Sequence, residues 1–269
     1  MQDSDFFLDR DETRGYIHSV ETLSALDGPG LRYVVFLQGC PLRCSYCHNP
    51  DSRVIGGGET LTAESLTEQI LRCQTYLTGG VTFSGGEPLV QAEFVYKMTR
   101  LLHRKGSIHV AIDTSGAIFG PEVLKSIDEA DLILLDIKAF HDKTAIQLTG
   151  CDTQNAMRIL QHCEARQQRV WLRHVLVPGI TIFDRNPDGS LLQNDEDFLE
   201  ANQEFINGIR FMARYSCIER IELLPFHKMG EFKWRELGLV SPLEKTPEPT
   251  DACVDWARKF VREVHDGMI

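Results

Sequence analysis

The chain is organised around one stretch, Gly39-Cys40-Pro41-Leu42-Arg43-Cys44-Ser45-Tyr46-Cys47-His48-Asn49-Pro50. It follows the apolar run Tyr33 to Leu37, whose composition predicts a buried strand. Its thiols have the spacing C-x3-C-x2-C. Three cysteines on one loop can hold three corners of a cubane iron-sulfur cluster, whereas a closed cluster uses four thiolates. The spacing therefore predicts a loop that leaves one iron open to a ligand that is not protein.

Two other kinds of site remain open for the same loop. A zinc ion could be held by the thiols and His48, although the adjacent Cys47 and His48 would both have to turn back on one ion. A redox dithiol formed by Cys44 and Cys47 would leave Cys40 unexplained. A zinc-stabilised binding module without turnover would follow from the first alternative.

Composition and charge bound the class of protein. The 269 residues are 42% hydrophobic and 25% charged, as in ordinary globular proteins. A net charge of -11 argues against nonspecific binding to nucleic acid or to an anionic membrane. No apolar run approaches the roughly 18 residues of a membrane span, and residues 1–13 form an acidic leader that is expected to be flexible rather than a signal peptide.

Cysteine usage indicates a reducing compartment, so we expect a cytoplasmic protein. Five of the eight cysteines lie outside the motif. Cys73, Cys163 and Cys253 continue apolar helical stripes and are predicted to be small core residues. The sequence assigns no role to Cys151 and Cys217.

Short apolar runs alternate with amphipathic segments along the chain. Strands are predicted at 15–22, 33–37, 80–84, 108–113, 132–138, 170–177 and 221–226. Helices are predicted at 63–77, 90–105, 121–129, 153–167, 196–214 and 250–265. Polar and proline-containing segments at 184–197 and 241–250 are predicted to be a loop and an extended connector.

Near-continuous apolar strands separated by helices are typical of a parallel sheet covered by helices. Six such units are too few to close an eight-stranded barrel. We therefore expect an α/β fold: an open, partial (β/α)6 TIM-like barrel with a short N-terminal extension and a C-terminal helix, forming one domain over residues 14–269. A doubly wound sheet is the alternative.

Polar or glycine elements follow each predicted strand at its carboxyl end, where parallel βα barrels carry their chemistry. They comprise the cysteine loop, 84–88, 113–116, 136–138, 178–179 and 225–227. The predicted strand 170–177 also carries Arg173. Gly85 and Gly86 let backbone approach a ligand closely. Asp136 and Lys138 project to one face of their strand. Together these elements suit a zwitterionic amino acid joined to a ribose.

Each of these side chains also has a structural explanation that stays open. Asp136 and Lys138 could form a buried salt bridge without a ligand. Arg173 could pair with a carboxylate of the barrel, Asp113 could cap the following turn, and His227 could be a core histidine.

Taken together, the motifs resemble the radical S-adenosylmethionine superfamily and, within it, the glycyl-radical-enzyme activases of the pyruvate formate-lyase type. The matching segments are 27–30, 40–49, 85–87, 113–116, 135–138, 171–179 and 222–227, and the resemblance covers about residues 14–240. Many activases of other specificity carry a cysteine-rich insert between the triplet and the Gly-Gly-Glu loop. Here residues 49–84 hold only Cys73.

The resemblance implies an oxidoreductase in which a 4Fe-4S cluster binds S-adenosylmethionine at its open iron. One electron cleaves the sulfonium to methionine and a 5'-deoxyadenosyl radical, which abstracts a hydrogen atom from a backbone glycine of the partner. The implied catalytic set is Cys40, Cys44, Cys47, Asp136 and Lys138, with the cysteines as cluster ligands. The implied cofactor-binding set is Tyr46, Cys47, His48, Gly85, Gly86, Glu87, Asp113, Asp136, Ile137, Lys138 and His227.

The same resemblance implies the remaining assignments. Asp113, Thr114 and Asp136 would hold a monovalent cation, and Asp27 and Arg173 would face the partner's glycine loop. The partner would be pyruvate formate-lyase and the electron donor a flavodoxin or ferredoxin, with no nucleic acid or membrane involved and the chain a monomer. The acidic leader and the 184–197 loop depart from the family pattern, and both bear on the surface that would dock the partner.

Overall fold

The computed structural model describes residues 13–186 and 188–265. The predicted acidic leader, apart from Thr13, lies outside these residues. The described residues divide into two compact units, one made of residues 13–40, 52–114 and 120–132 and the other of residues 41–51, 115–119, 133–186 and 188–265. The single domain expected over 14–269 stays a prediction.

The first unit is built on the apolar run that precedes the cysteine loop, because Val34, Val35 and Leu37 are fully buried. Its strand order is β3-β1-β2-β4-β5, with β1 antiparallel to both neighbours and β2, β4 and β5 parallel. The strands are β1 (Arg14–Ser24), β2 (Arg32–Leu37), β3 (Glu59–Thr62), β4 (Gly80–Gly85) and β5 (Val110–Thr114). Its helices are α1 (Ala63–Cys73), α2 (Ala92–Gly106) and α3 (Pro121–Glu129).

The second unit has a parallel order β6-β7-β8. The strands are β6 (Leu132–Asp136), β7 (Val170–Leu176) and β8 (Ile218–Pro225). The helices are α4 (Asp142–Thr149), α5 (Gln154–Arg166), α6 (Asp195–Ala201), α7 (Gln203–Met212), α8 (Glu231–Glu236) and α9 (Asp251–His265). An aromatic core formed by Phe198, Phe205, Trp256 and Phe260 packs α6, α7 and α9 together.

The expected α/β fold with a mostly parallel, open set of strands is confirmed. The described residues form eight strands, and β3 and β8 each have a neighbour on one side only. Parallel pairing brings the carboxyl ends of β2, β4 and β5 to one edge of the first unit, and those of β6, β7 and β8 to one edge of the second. No helix among residues 13–186 and 188–265 is long and apolar enough to cross a membrane.

The element predictions were wrong in four places. The strand β3 and the helices α4 and α8 were not predicted, because four, eight and six residues are too short to show a clear period. The helix predicted over 196–214 is interrupted at Asn202. The side chain of Asn202 bonds both the amide and the carbonyl of Phe183 and also the carbonyl of Phe198, which favours a break over a continuous helix.

The core prediction for the isolated cysteines holds in part. Cys163 and Cys253 are fully buried, whereas Cys73 at the end of α1 is only half-buried. Burial raises the pKa of the Cys253 thiol to about 12. Cys217 is also buried, and its backbone N–H donates to Glu164 at 2.9 Å.

Candidate active site

The first part of the cysteine loop is fixed by the backbone of the first unit. After β2 the chain turns at Gly39, whose φ of +104° favours glycine. The Gly39 N–H donates to the carbonyl of Ser52 at 2.7 Å, and the Cys40 N–H donates to the carbonyl of Arg53 at 3.2 Å. These bonds hold Cys40 at the carboxyl end of β2.

The second part of the loop lies against the end of α4 in the second unit. The Arg43 N–H donates to the carbonyl of Thr149 at 2.7 Å, and the Ser45 N–H donates to the carbonyl of Leu148 at 2.8 Å. The last carbonyls of a helix lack partners within the helix. The unpredicted α4 therefore supplies the acceptors that order the loop between Cys40 and Cys47.

The three thiols of the motif belong to no disulfide; Cys44 is buried, and Cys40 and Cys47 are half-buried. Within the described part of the chain, no three His, Cys, Asp or Glu side chains form a group that could hold a metal ion. A cubane cluster makes a different demand, because each thiolate ligates its own iron.

The Gly-Gly-Glu loop after β4 is bonded to the start of the cysteine loop. Gly86 N–H donates to the carbonyl of Leu37 at 2.9 Å, and Glu87 N–H donates to that of Gly39 at 2.8 Å. A Cβ on Gly85 would overlap the backbone of Leu37, and one on Gly86 would overlap the carbonyl of Gly39. The close approach of neighbouring backbone thus requires both glycines, independently of any ligand.

The carboxylate of Glu87 is fully buried and accepts two hydrogen bonds through Oε1. The Thr114 hydroxyl donates to it at 2.6 Å, and the Leu89 N–H does so at 3.1 Å. Asp113 precedes Thr114 at the end of β5, and its Oδ2 accepts from the hydroxyl of Ser84 at 2.9 Å. The first unit therefore brings Glu87, Asp113 and Thr114 to one sheet edge, as predicted from the sequence.

Asp136 and Lys138 form the salt bridge that the sequence left open, with 2.5 Å between Lys138 Nζ and Asp136 Oδ2. Burial by itself lowers the pKa of Lys138, but the adjacent Asp136 carboxylate raises it well above its ordinary value. Lys138 Nζ also lies 5.4 Å from the centre of the Tyr46 ring. Burial raises the pKa of Tyr46, and the Lys138 charge opposes that effect. Lys138 is therefore a fixed positive charge beside the cysteine loop.

His48 and His227 are also brought together, with ring centroids 4.2 Å apart. The His48 Nε2–H donates to the carbonyl of His227 at 3.2 Å. Burial, followed by the neighbouring His227, lowers the pKa of His48. Among the described residues, the buried atoms of the second unit without a hydrogen-bond partner include Asp136 Oδ1, His227 Nδ1 and the Tyr46 hydroxyl.

Asp27 and Arg173, the predicted contacts of the partner, are held by structural interactions. Asp27 Oδ2 accepts from the Ser24 hydroxyl at 2.5 Å. Arg173 is buried in β7, and its Nε lies 3.0 Å from Glu222 Oε2. The carboxylate pairing left open for Arg173 is thus observed.

The turn that carries Asp27 depends on Arg32, which the sequence analysis did not single out. Arg32 is fully buried, its Nε donates to Thr82 Oγ1 at 2.5 Å, and the Thr82 hydroxyl donates to the carbonyl of Asp27 at 2.6 Å. The guanidinium also donates to the carbonyls of Pro29 and Gly79. Burial lowers the pKa of Arg32 to about 10. The sequence signal for this role is an arginine placed directly before the apolar run Tyr33 to Leu37.

His174 is a second residue that the sequence analysis missed. Its Nδ1–H donates to the carbonyl of Ile137 at 2.7 Å, between the two members of the Asp136–Lys138 pair. The ring stacks on Phe140 with 4.4 Å between centroids and is fully buried. Burial lowers the pKa of His174. This histidine therefore fixes the backbone that presents Lys138.

A cavity of about 660 Å³ lies in the 184–197 region of the second unit. Its lining includes Pro178, Phe183, Arg185, Leu192 and Glu200, and none of the residues predicted to bind a cofactor. We assign the chemistry to the strand-end residues instead, because they carry the thiols, the fixed charges and the unpartnered polar atoms.

Comparisons with known proteins identify the family of the chain. The Radical SAM superfamily model matches residues 34–187. A pyruvate formate-lyase-activating enzyme of Staphylococcus epidermidis is 38% identical over 92% of this chain and 95% of its own length. One from Listeria monocytogenes is 35% identical over 93% and 97%. The chain belongs to the radical SAM superfamily, in the family of pyruvate formate-lyase-activating enzymes.

Solved structures of other proteins share the fold at low identity. Streptococcus suis SuiB bound to precursor peptide SuiA superposes with a TM-score of 0.60 at 12% identity, covering 87% of this chain. The chain spans just under half of SuiB, 46%. A radical SAM methyltransferase from Sphaerobacter thermophilus gives a TM-score of 0.53 at 15% identity, covering 88% of this chain and 64% of its own. These likenesses concern the fold alone.

Membership of the radical SAM superfamily implies a 4Fe-4S cluster and S-adenosylmethionine as cofactors. The donor set of the chain fits them. The motif supplies three thiols on one loop, Lys138 supplies a fixed cation, and Asp136 Oδ1 and His227 Nδ1 are buried polar atoms without a partner among the described residues. A buried polar atom without a partner requires an explanation, and a bound ligand or an ordered water supplies one.

Proposed function

We propose that this chain activates pyruvate formate-lyase by generating a radical on a backbone glycine of that enzyme. The observation that carries the proposal is the C-x3-C-x2-C motif in a chain that is 38% identical, over 92% of its length, to a pyruvate formate-lyase-activating enzyme. The absence of a cysteine-rich insert in residues 49–84 supports the same choice.

Cys40, Cys44 and Cys47 would hold the cluster. When bound, the cluster and S-adenosylmethionine supply one-electron cleavage of the sulfonium to methionine and a 5'-deoxyadenosyl radical, which takes a hydrogen atom from the partner glycine. The chain's own part is to bind, orient and shield these groups. The backbone hydrogen bonds of the cysteine loop to Ser52, Arg53 and the end of α4 support this positioning role, because they order the loop around Cys40 and between Cys40 and Cys47.

The remaining residues would bind S-adenosylmethionine. Gly85, Gly86 and Glu87 would line its amino group. Lys138 is suited to its carboxylate, because the ammonium is fixed by Asp136 and stays charged. Further contacts would come from Asp136, Ile137 and His227, with Tyr46 and His48 flanking the adenine.

Two smaller groups complete the proposal. Asp113, Thr114 and Asp136 would hold a monovalent cation, and Asp27 and Arg173 would face the glycine loop of the partner. The bonds of Arg173 to Glu222 and of Asp27 to Ser24 would keep these side chains in fixed positions. We also propose a flavodoxin or ferredoxin as electron donor, a monomeric chain and a cytoplasmic location.

The test uses the full chain, reconstituted anaerobically with iron and sulfide, then incubated with S-adenosylmethionine, a reductant and pyruvate formate-lyase. The expected result is the electron paramagnetic resonance doublet of a glycyl radical on the partner. Cys44→Ser should lose both the signal and most of the approximately four irons per chain. Cys73→Ser is the matched control, since Cys73 lies outside the motif, and it should keep both.

Other outcomes would redirect the proposal. An intact cluster without any glycyl signal on pyruvate formate-lyase would contradict the assigned partner. If 5'-deoxyadenosine then forms in a burst with another glycyl-radical enzyme or with a small molecule, the cofactor chemistry stands and the substrate changes. About four irons and four sulfides per chain would exclude a zinc-binding module.

A further inference from the structure

A short segment near the C-terminal end packs on the last residues of the cysteine loop. It runs from His227 to Glu236, includes α8, and is called the clasp below. Three of its side chains contact three consecutive residues of the loop: the Trp234 indole contacts Cys47, the His227 ring contacts the His48 ring, and the Lys233 ammonium contacts Asn49. The contacting residues are about 180 positions apart in the chain.

Trp234 makes the contact nearest to a thiol. Its indole Nε1–H donates to the carbonyl of Cys47 at 2.9 Å, and the side chain is buried. Cys47 also donates its own N–H to the carbonyl of Cys44 at 3.2 Å. Both polar groups of the Cys47 backbone are therefore bonded, which limits the directions that its side chain can take.

Lys233 fixes the residues that follow. Its ammonium lies 2.7 Å from Asn49 Oδ1 and 3.6 Å from Asp51 Oδ2, and the Lys233 side chain is 24% exposed. Between these contacts Gly230 lies so close to His48 that an added Cβ would come within 2.6 Å of the His48 Cα. The clasp is thus in backbone-to-backbone contact with the loop and not only bridged by long side chains.

We propose that the clasp positions Cys47 as a cluster ligand, with Trp234 and Lys233 as positioning residues, so that retention of the cluster depends on these two side chains. Partners that orient metal ligands typically change metal affinity by roughly tenfold or more when they are removed. The inference rests on the proposed cluster at Cys40, Cys44 and Cys47. In addition, Cys47 is held in position by the clasp, a segment about 180 residues further along the chain.

The first experiment measures iron release to a chelator from the reconstituted full-length chain. Trp234→Phe keeps the ring and removes the N–H donor, so iron should leave about tenfold faster. Trp171→Phe is the matched control, because the Trp171 indole donates to Glu219 at 3.3 Å on β7, away from the loop. Its release rate should equal that of the unchanged chain.

The second pair of variants separates positioning from general packing. Lys233→Met should also accelerate iron release, whereas Lys233→Arg keeps a cationic donor and should restore slow release. Lys259→Met removes an ion-paired lysine on the exposed surface, whose ammonium lies 3.1 Å from Asp195, and should have no effect. All variants should unfold thermally close to the unchanged chain, and the Lys233 pair decides the question if Trp234→Phe fails to fold.

Hydrogen exchange of the apo chain gives a readout that needs neither cluster nor partner. The amides of Cys47, His48, Asn49 and Asp51 should exchange faster in Trp234→Phe and Lys233→Met than in the two controls. If these amides exchange at an unchanged rate in Trp234→Phe and Lys233→Met, or if both variants release iron at the rate of the unchanged chain, the clasp does not position Cys47. A missing glycyl radical with the expected exchange and release pattern would instead contradict the proposed partner and leave the clasp intact.

Discussion

Lys138 and Asp136 lie two residues apart and form a 2.5 Å ion pair in which both side chains are less than one-fifth exposed. The pair stands at the carboxyl end of β6, with the Tyr46 ring beside the ammonium. Its geometry keeps Lys138 charged, because the Asp136 carboxylate outweighs the burial that would lower the pKa of Lys138.

Asp136→Asn should therefore destabilise the chain, since it leaves a largely buried ammonium without its counter-charge. We expect a loss of about 1–3 kcal/mol in the free energy of unfolding, less than for a fully buried pair because some solvent reaches the site. Urea unfolding at pH 7 measures it. Glu122→Gln is the control, because the Lys125–Glu122 pair has a similar distance of 2.9 Å but is well exposed, and its loss should leave the transition unmoved. Equal effects of the two substitutions would contradict the prediction.

Gly86→Ala should destabilise the junction between the Gly-Gly-Glu loop and the cysteine loop. The new Cβ would overlap the backbone oxygens of Gly39 and Ser52, which cannot move without breaking the sheet edge. We expect a loss of about 2–3 kcal/mol, seen as a lower thermal unfolding midpoint of the apo chain. Gly120→Ala is the control, because that position has extended backbone and no atom within 4 Å of the added Cβ. A stable Gly86→Ala chain would mean that the glycine serves only ligand access.

Thr114→Val should weaken the first unit, because it removes the hydroxyl that donates to the fully buried Glu87 carboxylate. The expected loss is about 1–3 kcal/mol in the free energy of unfolding. Thr144→Val serves as the comparison, since the Thr144 hydroxyl donates to Glu204 at an exposed position. The idea fails if both valine variants unfold at the same urea concentration.

His174 should make the folded chain sensitive to mild acid. Burial lowers the pKa of His174 below its ordinary value of 6.5, so in weak acid the unfolded chain binds a proton that the folded chain does not. Stability therefore rises with pH through this window and is lost as the pH falls. His174→Gln, which can still donate to the Ile137 carbonyl, should lose less stability between pH 7 and pH 5 than the unchanged chain. Urea unfolding at both pH values checks this, with His141→Gln as an exposed control; an unchanged slope in His174→Gln would refute it.

The strand-end residues could be predicted from the sequence because two regularities coincide. Apolar runs mark parallel strands, and parallel strands bring their carboxyl ends to one edge. Cys40, Gly85 and Asp113 were identified in this way and do lie at the ends of β2, β4 and β5. The same regularity applies to Asp136, which ends β6.

The supports of the site could not be predicted, because they depend on contacts between distant residues. Trp234 and Cys47 are 187 positions apart, and α8 is a six-residue helix without a clear period. The glycines of the Gly-Gly-Glu loop illustrate a different gap. The sequence suggested that Gly85 and Gly86 leave room for a ligand. In the structure, the Gly39 backbone occupies the space beside Gly86.

The backbone bonds of the cysteine loop have an electrochemical consequence. The N–H groups of Cys40, Arg43, Ser45 and Cys47 all donate to backbone carbonyls. These donors are engaged by oxygen and do not face sulfur. Hydrogen bonds to the sulfur atoms of a cluster stabilise its reduced form and raise its reduction potential. Because these four amides are already engaged, they are removed as donors to sulfur, and their engagement favours a lower reduction potential for a cluster at Cys40, Cys44 and Cys47.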